Sequence, residues 1–255
     1  MLIITPIPTL KDNYVWTIIN QESREAIIVD PGEAGPVQDF LEAEKLSLVA
    51  ILITHHHWDH TNGIKAFKSE GIEVYGPNNE SIEGLTHRNQ DDEVLSFKAF
   101  HLQFKCIAIP GHTLDHIAYY GDGMLFCGDT LFSAGCGRVF EGTAAMMFKA
   151  LEQFKNLPDA TAVYCAHEYT QANLRFAHTV EPSNHAIQRR ILAVDALRAQ
   201  NLPTLPSTIE IEKATNPFFR CDVSELIKNV EDYAGEKLNT PLEVFTWLRK
   251  WKDNF

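Results

Sequence analysis

The stretch Val49-Ala50-Ile51-Leu52-Ile53-Thr54-His55-His56-His57-Trp58-Asp59-His60 decides how the rest of the chain is read. Its first five residues form a short apolar run rich in β-branched side chains and bounded by polar residues, which predicts a buried strand. At the end of that strand, where open α/β sheets place their ligands, stand His55, His57, His60 and the carboxylate of Asp59. Residues two apart in an extended chain point the same way, so His55 and His57 can grip one cation together. Asp59 and His60 lie beyond the turn, at the start of an expected helix, and aim elsewhere. Two ligand pairs in two directions describe a site for two metals.

Working outward, further strands are expected over residues 2–7, 14–19, 26–29, 73–75, 100–109, 116–120, 124–127 and 162–165. Helices are expected over 36–44, over 61–69 with Gly71 as its cap, and over 143–154. Residues 78–96 are polar and read as loop. After Tyr169 the character changes: residues 184–200, 223–234 and 241–251 read as helices, with a Pro-rich link over 202–206. A strand-rich α/β body reaching residue 168 is therefore followed by a helical segment.

Three other strand ends carry the same residue types, at His112, Asp129 and His167. A lone histidine is more often a satisfied core or surface residue than a ligand, but such residues at four strand ends are a pattern. Seven donors serve two cations if one carboxylate bridges. The assignment is His55, His57 and His112 on the first, Asp59, His60 and His167 on the second, and Asp129 between them. Nitrogen and oxygen donors without thiolate suit zinc, iron or manganese. The alternative is a closed zinc site that only stabilises the fold, but such sites are usually rich in cysteine. His56 and His116 read as supports of the ligands, and His87, His101, His178 and His185 as surface residues. Cys127 and Cys136 read as small packing residues.

Composition bounds the rest. The 255 residues are 45% apolar and 22% charged, an ordinary globular balance. The longest apolar runs fall far short of a membrane span, and Met1-Leu2-Ile3-Ile4-Thr5 opens no secretory signal. Five cysteines without a CxxC pair suggest free thiols in a reducing cytoplasm. A net charge of −12 argues against nonspecific nucleic-acid binding. The acidity is uneven: residues 1–170 hold 11 Lys+Arg against 23 Asp+Glu, whereas residues 171–255 hold 11 of each. The tail ends on the basic cluster Arg249-Lys250-Trp251-Lys252. No oligomer interface is legible, and a monomer is expected.

The pattern Thr54-His-x-His-x-Asp-His60, with Gly111-His-Thr113 and Gly128-Asp129, resembles the metallo-β-lactamase superfamily. The stretches Leu131-Phe-Ser-Ala-Gly-Cys-Gly-Arg-Val-Phe-Glu-Gly-Thr143, His167-Glu168-Tyr169-Thr170 and Asn216-Pro-Phe-Phe-Arg220, with the basic end, resemble the glyoxalase II family, the hydroxyacylglutathione hydrolases. That resemblance spans nearly the whole chain. It implies an αββα sandwich with metals at one edge and a C-terminal helical domain that completes the substrate site. Residues 1–168 would be the metal-binding domain and 169–255 the substrate-binding one. It also implies hydrolysis of S-D-lactoylglutathione to D-lactate and glutathione, the second step of methylglyoxal detoxification. Two divalent ions are expected, zinc first, with iron or manganese as alternatives. A metal-bridging hydroxide would attack the thioester, with Asp59 orienting it. Where the family places glutathione contacts, this chain has Arg138, Tyr169, Arg249 and Lys252. From composition alone, Arg249 to Lys252 is an ordinary solvated helix end. The chain departs from the family at Phe140, where some members have tyrosine, and at Asp115, where glycine is common. A nuclease would want a basic surface, a lactamase or lactonase leaves the tail unexplained, and a persulfide dioxygenase needs one iron with three ligands.

Overall fold

The computed structural model describes residues 1–68 and 71–255. The chain divides into two compact units, residues 1–108 with 115–128, and residues 109–114 with 129–255.

In the first unit, β1 (Leu2–Thr9), β2 (Asn13–Asn20), β3 (Glu25–Val29), β4 (Ser47–Leu52), β5 (Glu73–Pro77) and β6 (His87–Asn89) pair in that order. β1, β2 and β3 are antiparallel hairpin neighbours. From β3 to β6 the pairing is parallel, which requires crossover connections. Helix α1 (Gly35–Ala43) makes the first crossover. Pro36 starts it without wasting an amide, and Val37 and Leu41, four apart, share its inward face. That face joins Val15, Ala26, Ile28 and Ile51 in one core cluster. Each such side chain, once fully buried, contributes about 1.5–3 kcal/mol. Every residue of β2 is buried, as expected of a strand covered on both faces.

The second covering layer runs antiparallel through β7 (Val94–Phe97), β8 (Leu102–Ala108), β9 (Ile117–Gly121) and β10 (Met124–Gly128). Phe104 and Phe126 meet there edge to face at 5.6 Å. Tyr119 on β9 reaches across and donates its hydroxyl to the Ile53 carbonyl at 2.8 Å. Burial holds its pKa well above the ordinary tyrosine value, so the phenol keeps the proton it donates. Ile117 N–H donates to the Thr54 carbonyl at 2.9 Å. Both bonds clamp the end of β4, directly before the histidine loop.

The second unit holds the hairpin β11 (Leu131–Phe132) and β12 (Gly135–Cys136), helix α3 (Ala144–Lys155), β13 (Ala162–Cys165), α4 (Thr170–Val180) and α5 (His185–Arg198). It continues with β14 (Ser207–Thr208), antiparallel to β13, then α6 (Ile209–Thr215), α7 (Ser224–Ala234) and α8 (Pro241–Asp253). Helix α8 opens with a capping box between Thr240 and Glu243. Phe218 packs between Phe176 of α4 and Phe245 of α8. Asn216 donates to the carbonyls of Phe132 (3.2 Å) and Gly135 (2.9 Å) and to buried Glu212 (2.9 Å), tying the helices to the β11–β12 hairpin.

The expected helix over 61–69 is not one continuous helix. A short α2 (Trp58–Thr61) gives way to a 3₁₀ turn, Ile64–Phe67. Gly63 donates to the Pro31 carbonyl at 2.8 Å and lies so close that a Cβ would stand 2.4 Å from it, which bends the chain. Residue 69 lies outside the described residues. Gly71 therefore caps no helix; its φ of +92° serves the turn into β5. The stretch expected as loop over 78–96 holds β6, three polar residues, and most of β7, which at four residues is too short to announce itself. The strand expected from residue 100 begins at Leu102, after a 3₁₀ turn over Lys98–Phe100 and left-handed His101 (φ +50°). Helices α4 and α6 were not anticipated. Among the described residues no helix is long and apolar enough to cross a membrane.

Candidate metal centre

In the first unit the loop after β4 hangs on one buried carboxylate, Asp30, at the end of the parallel neighbour β3. Asp30 accepts from the Thr54 N–H (2.8 Å) and the Thr54 hydroxyl (2.7 Å), and faces His60 Nδ1 at 3.0 Å. Since the Thr54 hydroxyl is spent on Asp30, its oxygen accepts from His55 Nδ1, 3.0 Å away. Both rings are thereby fixed with the proton on Nδ1 and a lone pair on Nε2, the tautomer a metal needs. His55 and His60 are fully buried. His55 Nε2 lies 3.1 Å from His57 Nδ1, and His60 Nε2 lies 3.5 Å from Asp59 Oδ2. Asn13 Nδ2 donates to that Asp59 oxygen at 3.1 Å. His116 stacks on His55 at 4.5 Å, and His56 pairs through Nδ1 with Asp115 (2.9 Å), which also accepts from Asn79 (2.8 Å). Asp115, the departure from the family pattern, thus serves His56 while His116 keeps its place against a proposed ligand.

In the second unit Asp129 stands between two imidazoles. Its Oδ2 is 3.5 Å from His112 Nε2 and its Oδ1 is 3.3 Å from His167 Nε2. His112 donates from Nδ1 to the Arg138 carbonyl at 2.8 Å, again leaving the lone pair on Nε2. His167 is stacked flat on Tyr169 (4.7 Å, 6°), with Phe132 edge-on.

Two nitrogen or oxygen ligands on one tetrahedral cation, with bonds of about 2.05 Å, stand about 3.3 Å apart. The four donor pairs, at 3.1, 3.5, 3.5 and 3.3 Å, all match that spacing. They are buried or half-buried and contain no thiolate. The residues present fit a divalent metal cofactor.

Beside His112 and Asp129 the second unit encloses a cavity of about 400 Å³. Arg138, Arg249, Lys252, Tyr169 and Phe140 also line it. Burial, then the charges of Arg249 and Arg175, push the Lys252 pKa down to about 8. Its ammonium donates to the Ala172 carbonyl at 3.3 Å. Arg249 is 7% exposed, whereas the Arg138 side chain is 66% exposed. Phe140, 62% exposed, sets its ring against His112 at 5.2 Å. His87, His101, His178 and His185 are exposed, as expected. Cys127 and Cys136 are buried; desolvation holds the Cys136 thiol up at about 11.

Sequence reasoning passed over Asp30, Asn13 and Asp253. Asp30-Pro31-Gly32 reads as a turn, and only the parallel pairing of β3 with β4 shows that its carboxylate abuts the histidine loop.

Residues 11–167 match the model of the metallo-β-lactamase superfamily, and residues 168–255 match that of the hydroxyacylglutathione hydrolase C-terminus. A hydroxyacylglutathione hydrolase of Nitrosomonas eutropha is 49% identical over 256 residues, covering 100% of both chains. One of Psychromonas ingrahamii is 48% identical, covering 99% of each. Among solved structures, ETHE1 from Myxococcus xanthus aligns over 98% of both chains with a TM-score of 0.65 at 23% identity, a likeness of fold. With the two layers of β1–β6 and β7–β10 and the helical C-terminal segment, these matches show the α/β sandwich of that superfamily. The chain belongs to the hydroxyacylglutathione hydrolase (glyoxalase II) family of the metallo-β-lactamase superfamily.

Proposed function

We propose that this chain hydrolyses S-(2-hydroxyacyl)glutathione thioesters, chiefly S-D-lactoylglutathione, to glutathione and the free 2-hydroxy acid. The observation that carries the reading is one cavity lined both by His112 and Asp129 and by the cationic side chains of Arg138, Arg249 and Lys252. Glutathione carries its two carboxylates on the γ-glutamyl and glycyl ends, on either side of the cysteine whose sulfur bears the acyl group.

His55, His57 and His112 would hold one divalent ion, Asp59, His60 and His167 a second, and Asp129 both. Zinc is the first choice, with iron or manganese accepted by the same donors. When bound, the ions supply Lewis acidity toward the thioester carbonyl and toward a water molecule. The remaining work falls to side chains of this chain. Asp59, steadied by Asn13, accepts a hydrogen bond from the attacking oxygen and so aims its lone pair. Arg138, Arg249 and Lys252 bind the glutathione carboxylates, and Tyr169 lines the path beside His167. A thiol leaving group with a pKa near ~8.5 departs without a general acid. Residues 1–168 thus serve as the metal-binding part and 169–255 as the substrate-binding part, with Arg138 lent by the former. The enzyme acts as a monomer in the cytoplasm.

The test compares S-D-lactoylglutathione with a thioester lacking the γ-glutamyl and glycyl ends, following loss of thioester absorbance. A higher kcat/KM for the glutathione thioester is expected; equal cleavage of both would remove the glutathione reading.

A further inference from the structure

Within that reading of the metal site, we propose that Arg249 and Asp253 form a positioning pair for the metal ligand His112, acting through the backbone of residues 136–138. At first sight they are an i,i+4 pair near the end of α8, worth a few tenths of a kcal/mol on an exposed surface. The surroundings are different here. The Arg249 side chain is 8% exposed, and its guanidinium lies over the Phe218 ring at 5.1 Å. Its Nε and Nη2 donate to one oxygen of Asp253 at 3.2 and 2.9 Å, which fixes one edge of the planar group. From the other edge Nη1 donates to the Cys136 carbonyl at 2.9 Å, 113 residues away in sequence.

That carbonyl is the anchor of a short backbone segment lying on the metal ligands. Next along is Gly137, where a Cβ would stand 1.9 Å from the Asp129 carbonyl oxygen and 3.1 Å from His112 Nδ1. Gly137 N–H donates to the Thr130 carbonyl at 3.2 Å. Then comes Arg138, whose carbonyl takes the His112 Nδ1 proton at 2.8 Å. A ligating histidine depends on such a partner for ring angle and tautomer. The path therefore runs from the Asp253 carboxylate to the Arg249 guanidinium, the Cys136 and Arg138 carbonyls, and the His112 ring. Asp253 also comes within 4.0 Å of Arg138 Nε, so it faces one end of the segment itself and reaches the other through Arg249. Lysine at position 249 would keep the charge but not the fork that spans Asp253 and Cys136 together.

The experiment measures zinc affinity of the full-length protein by competition with a chromophoric chelator, beside kcat and KM, in Arg249→Lys, Asp253→Asn and Lys252→Ala. Arg249→Lys and Asp253→Asn are expected to weaken zinc binding about tenfold, the lower end for a lost partner of a ligand, and to lower kcat at limiting zinc. Lys252→Ala, on the same helix but off the path, is expected to raise KM with zinc affinity unchanged. The proposal is overturned if both pair variants bind zinc as tightly as the parent and change KM alone, with Asp253→Asn lowering it. If Asp253→Asn does not fold, Arg249→Lys carries the comparison, with its fold checked by circular dichroism. Zinc affinity is read without substrate, so the result stands whether or not glutathione thioesters prove to be cleaved.

Discussion

At the scale of single residues, carboxylates decide the most. Asp129 offers a different oxygen to each of two imidazoles; if it bridges two metal positions as proposed, its removal costs both. Asp129→Ala is expected to purify with little bound metal by elemental analysis; two equivalents retained in that variant would refute the bridge. Asp30 fixes His60 directly and His55 through Thr54. Asp30→Asn keeps the size but loses the acceptor strength, and metal affinity is expected to fall 10–100-fold in a chelator competition. Gly137→Ala should be severe for a steric reason, because its Cβ would collide with the Asp129 backbone. A misplacement of about 1 Å near the chemistry costs on the order of 10²-fold, to be read in kcat. The candidate pair His55 and His57 stood out in the sequence because residues two apart in an extended chain point the same way, and their ring nitrogens meet at 3.1 Å; Asp30 did not stand out, since its role comes from a neighbouring strand.

At the scale of elements, α8 links capping, packing and chemistry. Its N-terminus is set by the Thr240–Glu243 box, its middle by Phe245, and its last turn brings Arg249, Lys252 and Asp253 to the cavity and its margin. With the Lys252 pKa lowered to about 8, the ammonium is charged below that pH and neutral above it. Binding of a carboxylate should therefore weaken as pH rises through 8, and kcat/KM, which reports groups of the free enzyme, should bend downward there. Lys252→Arg is expected to remove that alkaline limb, since a guanidinium keeps its proton; a limb unchanged in the variant would assign it elsewhere. Sequence alone read the end of α8 as solvated, and only family resemblance suggested otherwise. Elements with clear periodicity, such as β4 and α3, were legible. Helix α6 was not: Ile209-Glu-Ile-Glu alternates like a strand, and the helix is secured by the Thr208 cap and by Glu212 buried against Asn216, Ser207 and the Ala134 amide.

At the scale of the whole molecule, net acidity and a cationic cavity are reconciled by segregation, with the excess of carboxylates in residues 1–170 and a balanced tail. The strand-rich body and the helical segment after it could be read ahead of the structure because buried strands and amphipathic helices write different periods; the sandwich itself came only from the family resemblance. The location of the boundary between contact-defined units could not be read, because residues 109–114 group with the later chain through tertiary contacts. The central claim is that two cations serve one thioesterase site, and it is tested most directly by titrating zinc into metal-stripped protein while following hydrolysis of S-D-lactoylglutathione. Activity is expected to be absent without metal and to saturate at two equivalents; full activity without metal, or saturation at one equivalent, would contradict it.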